Sequence, residues 1–354
     1  PRPLGIGEAS AAAPAEAFTF VQISDSHIGF NKEANPDPNA TLKAALDRIA
    51  GLPKRPAMML HTGDVSHLSK PAQFDTAAQI IGGAGLETHY VPGEHDVIGD
   101  DGKAFFERFG KRSQPGGWYS FDQGGVHFVG LNNVQGFATT QAGGIGGEQL
   151  DWLKQDLQGL SASTPIVLFT HIPMWPVYPQ WGWATPDAPQ ALANLRRFGS
   201  VTVLNGHIHQ VVQKVEGNVV YRTAMSTAYP QPAAGQAKSP GPLKVPAGQL
   251  RTVLGIREVS IEPDKAAALD DVGLTNRWPE GAYYVMTDFS QRRFAGDDHA
   301  FARYLTTEIG VAAVPGSSFY ATPDLGRSTI RFAFAKKLET LAEVERRLAR
   351  LDTV

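Results

Sequence analysis

The stretch Phe18-Thr-Phe-Val-Gln-Ile23 is apolar and rich in aromatic and β-branched residues, and Asp25-Ser-His27 follows it almost at once. A run of this length and composition predicts a buried strand. In α/β sheets, ligands bind in the crevice beyond the carboxyl ends of the strands. An acid and a histidine at that position therefore indicate a ligand site, and the first two thirds of the chain repeat this arrangement.

Strand-like and helical patterns alternate through the same region. Five further strands are predicted, at Ala57–Leu60, Thr88–Val91, His127–Leu131, Ile166–Phe169 and Val201–Leu204. Helices are predicted at Thr41–Ala50, Ala72–Ile81, Lys103–Phe109 and Glu148–Leu157. Strand-like segments on both sides of Gln123-Gly-Gly125 predict a hairpin, so the sheets should be mixed rather than purely parallel.

The composition is that of a globular protein of about two domains. The chain has 354 residues, of which 42% are hydrophobic and 19% charged, and its formal net charge is −3. It lacks the basic excess that is usual in proteins that bind a nucleic-acid backbone, so no such binding is expected, and no apolar stretch is long enough for a membrane span. Because cysteine is absent, any metal must be held by histidine, aspartate or glutamate.

The chain is expected to divide into four parts. Residues 1–16 form a flexible N-terminal segment, 17–262 the first domain, 263–276 a linker, and 277–354 a small α+β domain. Tyr229–Gly248 is dense in proline and glycine and predicts a long surface loop. Strand-like residues resume at Arg251–Val259. In the last helix, Thr340 and Glu343 have the spacing of a capping box.

The Ala-rich opening run, Glu8–Ala17, resembles the surroundings of a signal cleavage site. It favours a periplasmic or secreted protein. A cytoplasmic protein is the alternative.

Four more polar motifs follow predicted strands: Gly63-Asp64, Gly93-Glu94-His95-Asp96, Thr170-His171 and Gly206-His207-Ile208-His209. Each motif alone is compatible with a plain turn or a structural histidine. Five of them in succession, each after a strand, indicate one shared site.

This pattern resembles that of the calcineurin-like metallophosphoesterases over roughly residues 17 to 260. The resemblance implies a four-layered α/β/β/α sandwich and two divalent metal ions, with manganese, iron or zinc suiting the ligand set. It implies that Asp25, His27, Asp64 and His209 bind the first ion. Asp64 would bridge to the second ion, which Glu94, His171 and His207 would also bind.

The implied activity is hydrolysis of a small phosphorylated substrate, a phosphodiester or a phosphomonoester, by a hydroxide that bridges the two ions. His95 matches the proton donor to the leaving group, and Asp96 would orient it.

Glu94 departs from the family pattern, in which asparagine is usual. Its added charge brings the sum over two divalent ions, three carboxylates and one hydroxide to about zero instead of plus one. We expect this charge to favour diesters, which carry less negative charge than monoesters. In the alternative, Glu94 points away from the site and the second ion is weakly held.

Trp175 and Trp181 lie in an aromatic, proline-rich loop after His171. They are candidates for stacking on an aromatic leaving group or base. A purely structural cluster is the alternative.

The C-terminal segment, roughly residues 277 to 353, resembles the small domain of fold-type I aminotransferases through Trp278-Pro-Glu-Gly, Val314-Pro-Gly and Ile330-Arg-Phe-Ala-Phe. The large domain that carries the pyridoxal-phosphate lysine is absent, so we expect neither transamination nor pyridoxal phosphate. The segment would serve in packing, as a lid or in a homodimer. Arg331 falls at the carboxylate-binding arginine of that family, and is either an anion contact or half of a surface salt bridge.

Two other functions stay open. One is a binding protein for phosphorylated ligands that has lost turnover. The other is a pyridoxal-phosphate enzyme assembled with a partner chain.

Overall fold

The computed structural model describes residues 18–137, 143–162, 164–246, 248–261, 274–277, 284–290, 292, 294–320, 322–333 and 338–353. The predicted N-terminal segment and most of the predicted linker lie outside these residues. Within them, none of the helices is both long and apolar enough to cross a membrane.

The first sheet contains strands β1 (Phe18–Ile23), β2 (Met58–His61), β3 (Glu87–Tyr90) and β10 (Arg257–Ile261), in the order β10-β1-β2-β3. β1, β2 and β3 are parallel, and β10 pairs with β1 in the antiparallel direction. The register aligns the last residues of the three parallel strands, Ile23, His61 and Tyr90. The loops that follow them therefore leave the sheet at one edge.

The second sheet has six strands in the order β4-β5-β6-β7-β9-β8. They are β4 (Tyr119–Gln123), β5 (Val126–Gly130), β6 (Ile166–Phe169), β7 (Val201–Asn205), β8 (Gln213–Glu216) and β9 (Val219–Thr223). The four central strands are parallel, and the two outer ones pair in the antiparallel direction. The predicted hairpin is confirmed as β4 and β5. The hairpin of β8 and β9 was missed because β8 is polar and exposed.

Helices cover the outer face of each sheet. Those on the first sheet are α1 (Pro38–Ala50), α2 (Pro71–Gly82) and α3 (Lys103–Phe109), and those on the second are α4 (Gly147–Leu157) and α5 (Ala188–Leu195). Successive side chains of a strand point to opposite faces of the sheet, so they pack into two different cores. In β1, Val21 and Ile23 pack with the helices, whereas Phe20 packs between the sheets with Phe128. The predicted four-layered α/β/β/α sandwich with mixed sheets is confirmed.

The C-terminal residues form a separate small core. An antiparallel sheet in the order β11-β12-β14-β13 comprises β11 (Thr275–Arg277), β12 (Tyr284–Asp288), β13 (Val314–Pro315) and β14 (Thr329–Ala333). It packs with α6 (Asp298–Tyr304) and α7 (Leu338–Leu348). Apolar side chains such as Phe301, Ile330 and Leu348 are fully buried there, as an independent core requires.

Two local predictions were wrong. The strand expected over Arg251–Val259 begins only at Arg257, after a short 3-10 turn at Leu250–Thr252. The capping box fails because α7 already begins at Leu338, which places Thr340 inside the helix. The Glu343 carboxylate instead pairs with Arg346 and Arg347.

Candidate metal centre

The candidate ligands occupy the loops that follow the aligned strands, and the backbone there is strained. Asp25, His27, Asp64, His207 and His209 all have φ between 41° and 70°. Few residues other than glycine adopt this left-handed region, and a cluster of such residues is typical of functional sites.

Glycine precedes Asp64, Glu94 and His207, because the loops approach each other closely. A Cβ atom on Gly93 would lie 2.1 Å from Oδ1 of Asp64, and one on Gly63 would lie 2.4 Å from Nδ1 of His171. Real Cβ contacts are never this short. The glycines of the motifs therefore allow loops from both sheets to meet.

The first group of possible ligands is Asp25, His27 and His209, all buried. Nε2 of His209 lies 3.2 Å from Oδ1 of Asp25 and 3.2 Å from Nε2 of His27. The second nitrogen of His209, Nδ1, lies 2.6 Å from the carbonyl oxygen of Tyr229 and can donate its proton there. This donation leaves Nε2 with a free lone pair directed into the group.

The second group is Glu94, His171 and His207. Oε1 of Glu94 lies 2.9 Å from Nδ1 of His207, and Oε2 lies 2.8 Å from Nε2 of His171. The alternative in which Glu94 points away from the site is therefore wrong. His171 uses its other nitrogen to donate to the carbonyl oxygen of Thr62, at 2.7 Å.

Three atoms of this second group, Oε2 of Glu94, Nε2 of His171 and Nδ1 of His207, are buried without a hydrogen-bond partner. Buried polar groups without a partner are costly, and such atoms call for an explanation. Two imidazole nitrogens and a carboxylate oxygen directed at one another fit a divalent cation between them.

Asp64 lies between the two groups. Its Oδ2 atom is 3.5 Å from Nε2 of His27 and 3.4 Å from Nε2 of His171, and its Oδ1 atom accepts a hydrogen bond from the backbone of His95. One carboxylate thus faces one histidine of each group, as the predicted bridging role requires.

The ionisable groups respond to one another strongly. Burial opposes the charge on Glu94, but the neighbouring His207 and His171 outweigh it and hold its pKa well below the ordinary value. Burial likewise disfavours the charged form of His171, yet Asp64 and Glu94 raise its pKa well above the ordinary value. Glu94 therefore remains ionised and available to a cation.

The role predicted for Asp96 was wrong. Its two carboxylate oxygens accept hydrogen bonds from the backbone of Val65, Ser66 and Gly93 and from the Ser66 hydroxyl. Asp96 therefore fixes the loop that carries Asp64. The ring of His95 is oriented instead by the carbonyl oxygen of His67, 2.8 Å from its Nδ1 atom. The pKa of His95 is raised, because Asp64 and Glu94 outweigh the effect of burial.

Several residues around the two groups of ligands were not predicted from the sequence. His67 stacks on His95 with ring centroids 4.8 Å apart, and Tyr229 stacks on His27 at the same distance. The side-chain oxygen of buried Asn133 accepts hydrogen bonds from the backbone N–H groups of His171 and Ile172. The spacing of His67, three residues after Asp64, was the one available signal. Tyr229 lies in a segment predicted only as a surface loop.

The three predicted substrate contacts lie in different surroundings. Trp175 is buried in the core outside the second sheet, where it packs against Tyr221. It cannot wall an open pocket, so that prediction was wrong. Trp181 is partly exposed and contacts Tyr178 and Trp183 edge to face, and its role stays a prediction. The guanidinium of Arg331 lies over the ring of Phe319 in the C-terminal unit, and an anion contact there also stays a prediction.

The family model for calcineurin-like phosphoesterases matches residues 18–211. The chain belongs to this family. Its four-layered fold and its two groups of acids and histidines agree with that class. A 3′,5′-cyclic-nucleotide phosphodiesterase from Nostoc sp. is 26% identical over 219 residues, which cover 60% of this chain and 79% of the relative. A purple acid phosphatase from yellow lupin shares the fold, with a TM-score of 0.53, 13% identity, and coverage of 77% of this chain and 51% of the other.

The resemblance of the C-terminal segment to aminotransferases is confirmed. The model for class I and II aminotransferases matches residues 265–348. Methionine aminotransferase of Escherichia coli is 43% identical over 72 residues, which cover 20% of this chain and only 18% of the enzyme. The expectation that this unit works without pyridoxal phosphate stays a prediction.

Proposed function

We propose that the protein is a phosphoesterase that depends on two divalent ions and hydrolyses a small phosphorylated substrate, with phosphodiesters preferred. The observation that carries this proposal is the second group, in which three buried ligand atoms converge without hydrogen-bond partners. The likeness to a cyclic-nucleotide phosphodiesterase supports a diester substrate.

The residues fit two ions. Asp25, His27 and His209 would hold one, Glu94, His171 and His207 the other, with Asp64 between them. The donors are nitrogen and oxygen atoms, which suit manganese, iron or zinc. When bound, such ions supply a nucleophilic water at neutral pH and offset the charge on the phosphoryl oxygens.

The protein's own groups supply the remaining chemistry. His95 would donate the proton of its Nε2 atom to the leaving oxygen as the bond from that oxygen to phosphorus breaks. Its Nδ1 atom keeps its own proton and donates it in a hydrogen bond to the carbonyl oxygen of His67, so the ring keeps one orientation throughout. Asp96 would not act on the substrate directly. Its carboxylate accepts hydrogen bonds from the backbone of Val65 and Ser66, and so it would fix the loop that carries Asp64.

Glu94 supports the preference for diesters. Its two oxygens face His171 and His207, the other members of the second group. Its negative charge therefore lies where the phosphoryl group would bind. A monoester near neutral pH carries almost one more negative charge than a diester and would be repelled more strongly.

The test is hydrolysis of para-nitrophenyl phosphate, bis-para-nitrophenyl phosphate and a 3′,5′-cyclic nucleotide by metal-stripped protein, before and after manganese is added. His209→Ala should abolish the turnover that manganese restores. The matched control is His299→Ala, at an exposed histidine of the C-terminal unit, which should turn over normally. Two bound ions without turnover of any ester would instead favour a binding protein.

A further inference from the structure

His67 lies beside the candidate ligands, and the proposed function leaves it without a role. It lies at the end of the loop that begins with Gly63 and Asp64, and its backbone donates to the carbonyl oxygen of Ile28 at 3.0 Å. The ring is only half-buried, and Phe30 packs against it edge to face, with centroids 5.2 Å apart. The ring is therefore held in place from several sides.

The ring of His67 faces the candidate ligand His27. Their Nδ1 atoms lie 3.4 Å apart, so one must donate and the other accept. The Nε2 atom of His27 is directed at His209 and Asp64. If Nε2 binds a cation, Nδ1 of His27 carries the proton and His67 must accept it.

His67 also holds the candidate proton donor. Its carbonyl oxygen lies 2.8 Å from Nδ1 of His95, and the two rings are stacked with an angle of 18° between their planes. The carbonyl fixes which nitrogen of His95 keeps its proton, and the stacked ring limits rotation. The other nitrogen, Nε2, is thereby left for the leaving group.

We propose that His67 is a positioning residue that couples the candidate metal ligand His27 to the candidate proton donor His95. The inference rests on the proposed function, and it assigns different tasks to different parts of one residue. The Nδ1 atom orients the ligand, and the face of the ring orients the donor.

Two substitutions separate these tasks. His67→Phe keeps a flat ring for stacking and removes the acceptor, so manganese affinity should fall by about 10- to 100-fold, the usual loss when a metal ligand loses its hydrogen-bond partner. At saturating manganese, its relative rates on different esters should match those of the wild type. His67→Asn places an amide oxygen near the position of Nδ1 and removes the stacked ring, so manganese affinity should stay near that of the wild type.

The defect of His67→Asn should depend on the leaving group. An alkyl leaving group needs the proton of His95 far more than para-nitrophenolate does, so hydrolysis of a methyl ester should fall roughly tenfold further than that of the para-nitrophenyl ester. Equal loss on both esters would indicate a merely structural role and overturn the proposal. Leu68→Ala is the matched control, since this neighbouring side chain is 46% exposed, and it should behave as the wild type.

The binding and rate measurements also separate this inference from the proposed function. A wild-type protein that binds manganese without hydrolysing any ester would contradict the proposed function, while the affinity of His67→Phe would still decide whether His67 supports the ligand. An active wild type, with unchanged affinity in His67→Phe and no leaving-group effect in His67→Asn, would overturn only the role of His67.

Discussion

Oε2 of Glu94 lies 2.8 Å from Nε2 of His171, and both atoms are buried without a hydrogen bond to satisfy them. A buried ion pair whose atoms lack hydrogen bonds is an expensive arrangement unless a third partner completes it. A divalent cation bound between the two atoms would be that partner. Under the proposed function, the charge of Glu94 would therefore affect both cation binding and the choice of substrate.

Replacing Glu94 with asparagine should shift the preference towards monoesters. One unit charge at a distance of about 5 Å is worth roughly 3 kcal/mol at an effective dielectric constant near 20. We therefore expect the ratio of monoester to diester turnover to rise by about tenfold or more. The measurement is kcat/KM for para-nitrophenyl phosphate and its bis-ester at saturating manganese. Glu94→Asp retains the charge and should keep the wild-type ratio. An unchanged ratio in Glu94→Asn would contradict the electrostatic explanation.

Manganese should stabilise the folded protein, because the two groups of ligands exist only when both sheets are assembled. A ligand that binds only the native state at 100 times its dissociation constant adds about 2.7 kcal/mol to the free energy of unfolding. Thermal unfolding with and without manganese measures this gain. Asp64→Asn replaces the carboxylate that faces both groups with an amide. Manganese should therefore raise the melting temperature of this variant much less than that of the wild type. An equal rise in both proteins would place the binding elsewhere.

Loss of the Asp96 carboxylate should weaken the fold itself. Asp96→Ala leaves three backbone N–H groups and the Ser66 hydroxyl without their acceptor. Each buried donor without a partner costs about 1–3 kcal/mol, so the free energy of unfolding should fall by about 3 kcal/mol or more. Urea denaturation of the metal-stripped protein measures the change. In Asp100→Ala, where an exposed carboxylate accepts one backbone N–H, the loss should be about 1 kcal/mol. If Asp96→Ala had normal stability but slow catalysis, Asp96 would instead have the predicted role of orienting His95.

His127 should make stability depend on pH. Burial opposes its charge, but hydrogen bonds to Asp156 and Asp122 outweigh that effect and raise its pKa. A raised pKa in the folded state gives a stabilisation that is complete below the ordinary histidine pKa and is lost as pH rises through the folded value. Urea denaturation between pH 6 and pH 9 should show the stability advantage over His127→Gln shrinking with rising pH. A constant difference would mean that His127 stays neutral.

Local patterns in the sequence were enough to predict the strands that carry the motifs. β1, β6 and β7 lie at or within one residue of their predicted positions, because an apolar run and the motif after it are short-range features. Parallel pairing then carries each motif to the same edge of its sheet. The types of the candidate ligands and their order along the chain follow from the sequence for the same reason.

Tertiary structure alone decided how the side chains around the group are used. His27 and His209 are 182 residues apart in the sequence but have ring nitrogens 3.2 Å apart, and no local pattern encodes such a meeting. Asp96 serves the backbone of another loop, and Trp175 is buried in a core. The direction of Glu94 and the contacts of His67 also arise only when loops from both sheets close on one point. The sequence by itself determined which chemical groups reach the edges of the sheets, and packing between the sheets determined which atoms of those groups face one another.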